Sequence, residues 1–203
     1  MKRSIFLLFF LLSTITALAA QTGPETEQTP LPESVYEYEP IRVGDQFMRV
    51  GLGADFPLFF QSSDGINTTT NLKIGGTGSI GYSRFVTSRI ALGGEINFAF
   101  NSTLGQNILF YLPVLFKASY VFVAGRFHIP ISVALGMAFQ SYNSVTYFGM
   151  AFKPEVGVYF QYNPDWSFGI SSAWNILPQL YKENRYNRTA HLLDVLASVR
   201  FHF

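Results

Sequence analysis

Phe127-His128-Ile129-Pro130-Ile131-Ser132-Val133-Ala134-Leu135-Gly136-Met137-Ala138-Phe139-Gln140 sets bulky apolar side chains at the odd positions against His128, Ser132, Ala134, Gly136 and Gln140 at the even ones. A period of two is the signature of a β-strand. The two faces are unequal in an unusual direction. A soluble sheet hides its apolar face in a core, whereas here the large apolar face is opposed by residues small or polar enough to share a narrow interior.

The same pattern recurs on both sides of this stretch. Upstream, Met48, Val50, Leu52, Ala54 and Phe56 oppose Arg49, Gly51, Gly53 and Asp55; Leu72, Ile74, Ile80 and Tyr82 oppose Lys73, Gly75, Thr77, Ser79 and Ser83. Ile90, Leu92, Ile96, Phe98 and Phe100 oppose Ala91, Gly93, Glu95 and Asn97, and the Ile108–Tyr120 segment sets Phe110, Leu112, Val114 and Phe116 against Lys117 and Ser119. Downstream, Phe148, Met150, Phe152, Val156, Val158 and Phe160 oppose Lys153, Glu155 and Gly157. Trp166, Phe168, Ile170 and Trp174 oppose Ser167, Gly169, Ser171 and Asn175, and Leu193, Val195, Ala197, Val199, Phe201 and Phe203 oppose Asp194, Ser198, Arg200 and His202.

Eight such strands with the apolar face outward are what a transmembrane barrel requires, since lipid takes the apolar band and the lumen takes the polar residues. The barrel must close, because unpaired backbone groups in hydrocarbon cost several kcal/mol each. The expected fold is all-β: an eight-stranded antiparallel up-and-down transmembrane β-barrel preceded by a disordered N-terminal segment. A soluble lipocalin-like barrel is the rival, and it would have to turn an aromatic content of 17% into a cavity too small for it. Pro113, Pro130 and Pro154 fall inside these strands, where β-bulges are the expected remedy.

Composition agrees. The 203 residues include 21 Phe and 11 Tyr, with 13% charged residues against the roughly 25% of a soluble domain. The absence of Cys excludes thiol chemistry, and three His at scattered positions give no metal spacing. Lys2 and Arg3, an apolar run from Ile5 to Leu12, and Ala17-Leu18-Ala19-Ala20 have the order of a secretory signal peptide over residues 1–20. Residues 21–45 carry six acids, one base and Pro24, Pro30, Pro32 and Pro40, a composition that cannot offset its own ordering. They are expected to be a periplasmic tether, with residues 46–203 as the barrel. The barrel region keeps 11 bases and 7 acids without a cluster, a poor case for nucleic acid.

The C-terminal run Val195, Val199, Phe201, Phe203 looks like the terminal-strand signal that bacterial outer-membrane barrels present to their assembly machinery. Phe110-Tyr111-Leu112-Pro113-Val114-Leu115-Phe116-Lys117 is similar to a strand motif of small outer-membrane barrels. Over residues 46–203 the chain resembles the OmpW/OmpX-like group of small bacterial barrels, including spirochaetal members. That resemblance implies the outer membrane, both termini periplasmic, contact with lipid and the barrel-assembly machinery, and a pocket or narrow channel for small hydrophobic molecules.

Alternation places Arg49, Asp55, Lys73, Glu95, Lys117, Lys153, Glu155, Asp194 and Arg200 in the lumen. Buried charges must pair, so these nine form either a salt-bridged plug or the lining of a polar path. Lys182, Arg185 and Arg188, interleaved with Tyr181 and Tyr186, form a basic aromatic loop that could engage polyanions or host surface molecules, or simply be solvated. The alternative function is therefore a non-conducting structural or surface-interaction barrel acting through its extracellular loops. No catalytic site is expected: His191 lacks a serine two residues on, and His128 and His202 have no nucleophile at a suitable spacing. No cofactor or metal is expected.

Overall fold

The computed structural model describes residues 40–105, 107–142, 145–181 and 187–203. The expected signal peptide and residues 21–39 of the tether lie outside them. Nine strands follow in order: β1 Gln46–Ser62, β2 Asn67–Thr68, β3 Gly75–Phe85, β4 Ile90–Ser102, β5 Ile108–Ala124, β6 Phe127–Tyr142, β7 Val145–Gln161, β8 Trp166–Gln179 and β9 Arg188–His202. Each is antiparallel to its neighbour, and β1 also pairs with β9, so eight strands close on themselves. The short β2 pairs only with the far end of β1.

Closure leaves no sheet edge, and the outer surface is the apolar one. Leu135 is 53% exposed and Phe116 60%, as are their outward neighbours along every barrel strand, while Ala134 at 2% and Lys153 at 1% point inward. The order of the alternation thus runs inside-out relative to a soluble barrel.

The prolines are accommodated differently from the bulges expected. Pro113, Pro130 and Pro154 each keep a partner on one side, Ala138, Val121 and Val133 respectively. On the other side the ladder simply skips the pairs at the proline and resumes in the same register. Ile96↔Val114 is followed by Ala99↔Tyr111, His128↔Tyr159 by Ile131↔Val156, and Phe152↔Ile176 by Glu155↔Ala173. A missing donor deletes a rung without adding a residue. The register shift lies elsewhere, at Leu58 between Pro57 and Phe59 in the β1–β9 ladder. Below it Arg49 and Asp55 face in. Above it Phe60 packs against the lumen cluster, and Phe59 stacks on His191 at 4.4 Å. Strand β1 therefore runs on to Ser62, and β3 begins only at Gly75.

The terminal end of the barrel carries tight connections, at 86–89, 125–126 and 162–165. Gly125 takes a φ of 59° in the two-residue link between Ala124 and Phe127, which pair with each other; glycine enters this left-handed region without strain. The loop end carries the longest connections, 63–74 and 180–187. Pro40 to Asp45, the last residues of the expected tether, are fastened to the terminal end. Ile41 packs on Phe47, Phe85, Ala91 and Val121. Gly44 N donates to Phe85 O, and Phe85 N donates to Asp45 O, both at 2.8 Å.

Leu135→Arg tests which face meets lipid. Near the bilayer midplane an outward cation is expected to cost about 2–4 kcal/mol of folding stability, measured by urea titration in lipid vesicles. A cost near zero would mean that this face does not contact hydrocarbon.

Candidate functional site

The lumen is built from one residue in two of each barrel strand, and its contents change along the axis. At mid-height, Arg49 from β1, Lys117 from β5 and Lys153 from β7 surround Glu95 from β4 and Glu155 from β7. Glu95 is held by Arg49 Nη2 at 2.7 Å, Lys117 Nζ at 3.1 Å and Lys153 Nζ at 3.0 Å. Glu155 is held by Arg49, by Lys117 Nζ at 2.8 Å and, more loosely, by Lys153 Nζ at 3.7 Å. Asn97 Nδ2 adds a donor to Glu95 at 3.2 Å.

Toward the terminal end, Arg200 lies flat on the ring of Tyr159, 3.4 Å from its centroid, with Phe47 at 4.7 Å on another side. Desolvated guanidinium–aromatic stacking of this kind is worth about 2 kcal/mol. Room for the Tyr159 ring comes from Gly169, where a Cβ would sit 2.6 Å from the ring and 2.2 Å from Val158 O. Toward the loop end, Asp55 and Asp194 face each other across the β1–β9 seam. Tyr111 Oη donates to Asp55 at 2.9 Å, and Asn175 Nδ2 donates to Asp194 at 2.7 Å.

Among the described residues, the buried charges are Arg49, Lys117, Lys153 and Arg200 against Asp55, Glu95, Glu155 and Asp194. Bases and acids are equal in number. Lys73, expected in the lumen, does not belong to this set: it precedes β3 and is exposed, and its backbone N donates to Ser102 O at 2.7 Å. The alternation that placed it inward holds only where the backbone is already a barrel strand.

Beyond the two aspartates the lumen becomes apolar. Leu109, Tyr111, Leu115, Leu177, Ala190 and Leu192 are buried there, with Phe60, Leu72 and Tyr142 packed against them. This half was missed in the sequence, because β5 and β9 are apolar on both faces near the loop end, and a continuous apolar run hides its inward members. Three spaces divide the axis. A cavity of about 280 Å³ opens at the loop end, lined among others by Phe60, Leu72, Leu109, Gln140, Arg188 and Ala190. One of about 190 Å³ lies at the terminal end beside His128, His202 and Ile41. Between them, next to Arg49, Glu95, Lys117 and Arg200, only about 10 Å³ remains, room for one water at most.

Arg188, expected on a solvated loop, is instead the first residue of β9. Its Nε donates to Gln179 Oε1 at 2.6 Å, and its guanidinium lies 5.9 Å from the Phe60 ring centroid. Lys182 and Arg185 lie outside the described residues. Val195, Phe201 and Phe203 are exposed on the outer wall, with Phe201 packed on Trp166 at 4.9 Å. His202 does have a hydroxyl beside it, contrary to expectation. Ser167 Oγ is 2.8 Å from its Nε2, although Ser167 is fully buried.

The fold and lumen define a class, the small eight-stranded barrels of bacterial outer membranes. Neisserial surface protein A superposes with a TM-score of 0.53 at 13% identity, over 79% of this chain and 97% of that one. OprG of Pseudomonas aeruginosa gives 0.53 at 10% identity, over 80% and 97%. At the level of sequence, a family model matches residues 24–201. An uncharacterized protein of Treponema pallidum (strain Nichols) is 32% identical over 199 residues, 93% of this chain and 91% of its own. The chain belongs to the same family as that spirochaetal protein.

Glu95 touches all three mid-lumen bases, so Glu95→Gln is expected to cost about 3–5 kcal/mol, the range for breaking a buried ion pair from one side. Lys153→Met should cost less, because the cluster holds three bases to two acids. Urea titrations of refolded protein check the order, and equal costs would contradict it.

Proposed function

We propose that this outer-membrane protein is a closed barrel that takes small hydrophobic molecules into its loop-end vestibule and does not conduct through its length. One observation carries the reading: a cavity of about 280 Å³ with Phe60, Leu72, Leu109 and Ala190 on its wall stands above an ion cluster that leaves about 10 Å³ beside it. An apolar cavity of about 150 Å³ suffices for benzene, so the vestibule has room for a two-ring or medium-chain molecule. Its apolar wall is Phe60, Leu72, Leu109 and Ala190, which offer dispersion contacts. In this reading the loop end faces outward and the terminal end faces the periplasm, as the longer connections at the loop end support.

The outward row Val195, Val199, Phe201 and Phe203 serves the same protein as its assembly signal. It is a continuous apolar stripe along the last strand, available until β9 pairs with β1. Phe203→Ala keeps the backbone bond from Gln46 N to Phe203 O and removes only the ring. It is expected to slow insertion into the outer membrane in cells while leaving refolding in detergent unchanged. Equal slowing in both settings would assign Phe203 to stability alone.

The vestibule itself is tested with naphthalene as probe. Refolded protein in nanodiscs is expected to bind it saturably, and Ala190→Phe, which fills the cavity from β9, should abolish binding without altering the heat-dependent gel shift of the folded barrel. Planar bilayers should show no discrete conductance. Stepwise currents, or naphthalene binding indifferent to Ala190→Phe, would overturn the reading.

A further inference from the structure

The polar side of the vestibule has a direction. Arginine can only donate hydrogen bonds, so the group that meets Arg188 Nε, 2.6 Å away, must be the amide oxygen of Gln179. That orients the rest of the chain. The Gln179 amide nitrogen then faces Gln140 and donates to its Oε1 at 2.6 Å. With its oxygen engaged, Gln140 turns its own Nε2 away, and that nitrogen has no partner although the side chain is only 2% exposed. Both ends of the relay are therefore donors: the Nη groups of Arg188 at the rim and the Nε2 of Gln140 deeper in. Both residues line the same cavity, and Phe60, Leu72, Leu109 and Ala190 form its apolar side. An unmet buried donor costs about 1–3 kcal/mol, a cost that an acceptor in the cavity removes.

We infer that the vestibule binds amphipathic carboxylic acids with a short hydrocarbon body, the carboxylate received by Arg188 and Gln140 and the chain laid against Phe60, Leu72, Leu109 and Ala190. The inference rests on the pocket reading above and adds to it the charge and polarity of the ligand. A cation would meet the guanidinium of Arg188, with acceptor oxygens available among the described residues from Thr69, Asn71 and Tyr142 alone. A neutral alcohol could accept from Gln140 but would gain nothing from the charge of Arg188. A carboxylate supplies acceptor oxygens to these donors and a charge to the guanidinium.

Octanoate, octanol and octylamine are the probes, each titrated by NMR against the refolded protein in nanodiscs, with empty nanodiscs subtracted to remove partitioning into lipid. Saturable binding is expected in the order octanoate, octanol, octylamine. Arg188→Gln should weaken octanoate about tenfold, as loss of one charge-assisted hydrogen bond implies, and leave octanol within about twofold. Gln140→Leu should also weaken octanoate, while the gel shift of both variants confirms a folded barrel. If octanol binds as well as octanoate and Arg188→Gln changes neither, the carboxylate assignment fails and the apolar pocket stands. If no probe binds the folded wild-type protein, both readings fall.

Discussion

Glu95 and Glu155, held between Arg49, Lys117 and Lys153, are the constraint on which the rest of this barrel depends. An eight-stranded barrel has an interior just wide enough for side chains to fill, and these five reach across it from β1, β4, β5 and β7. Backbone ladders tie each strand to its neighbours only. The ion cluster ties walls that are not neighbours, so it sets the bore as well as blocking it. Isolated charges could not be left there, since the desolvation of each costs several kcal/mol unless geometry and further hydrogen bonds compensate. The five mid-lumen groups compensate one another directly, whereas Arg200 rests on the Tyr159 ring and the two aspartates take hydrogen bonds from Tyr111 and Asn175.

Above this septum the chemistry changes within a few residues of the same strands. On β5 the inward row passes from Ser119 and Lys117 through Leu115 and Pro113 to Tyr111 and Leu109; on β9 it passes from Arg200 and Ser198 to Leu196, Asp194 and Leu192. A charged base and a mouth lined by both apolar and polar side chains make a blind vestibule whose floor is fixed by charge and whose walls are set by side-chain size. Small residues on β6, Ala134 and Ala138, leave the space that Leu109 and Leu115 do not fill. The family relationship reaches across nearly the whole chain, whereas the solved barrels share its architecture at low identity. The particular contents of the lumen thus have to be argued from this chain's own residues.

Much of the architecture was legible because lipid imposes a simple rule: outward residues must be apolar at every second position, and the run from Phe127 to Gln140 obeys it without a break. The buried charges were equally visible, since Arg49, Glu95, Lys117, Lys153 and Glu155 stand out on otherwise small or apolar strands. What escaped notice did so for identifiable reasons. Lys73 sits in phase with a strand that has not yet begun. Leu109, Leu177 and Leu192 are apolar residues facing inward, and periodicity cannot separate them from apolar residues facing lipid. The pairing of Ser167 with His202 joins residues 35 apart in sequence, a proximity that only the β8–β9 register creates. Arg188 looked like a loop residue because the connection before it is polar, yet β9 starts on it.

The extra residue at Leu58 has a consequence for how this protein can change. It acts as a phase switch: on its terminal side the odd-numbered residues of β1 face the lumen, and on its loop side the even-numbered ones do. Because Leu58 has no partner on β9, its loss would leave Pro57 opposite Leu192 and Phe60 opposite Ala190, with Phe60 still turned to the lumen. This point of β1 can therefore lose its extra residue without inverting the faces of the strand. The connection at 63–74 stays tied to the wall, since β2 within it pairs with β1 and Lys73 N donates to Ser102 O.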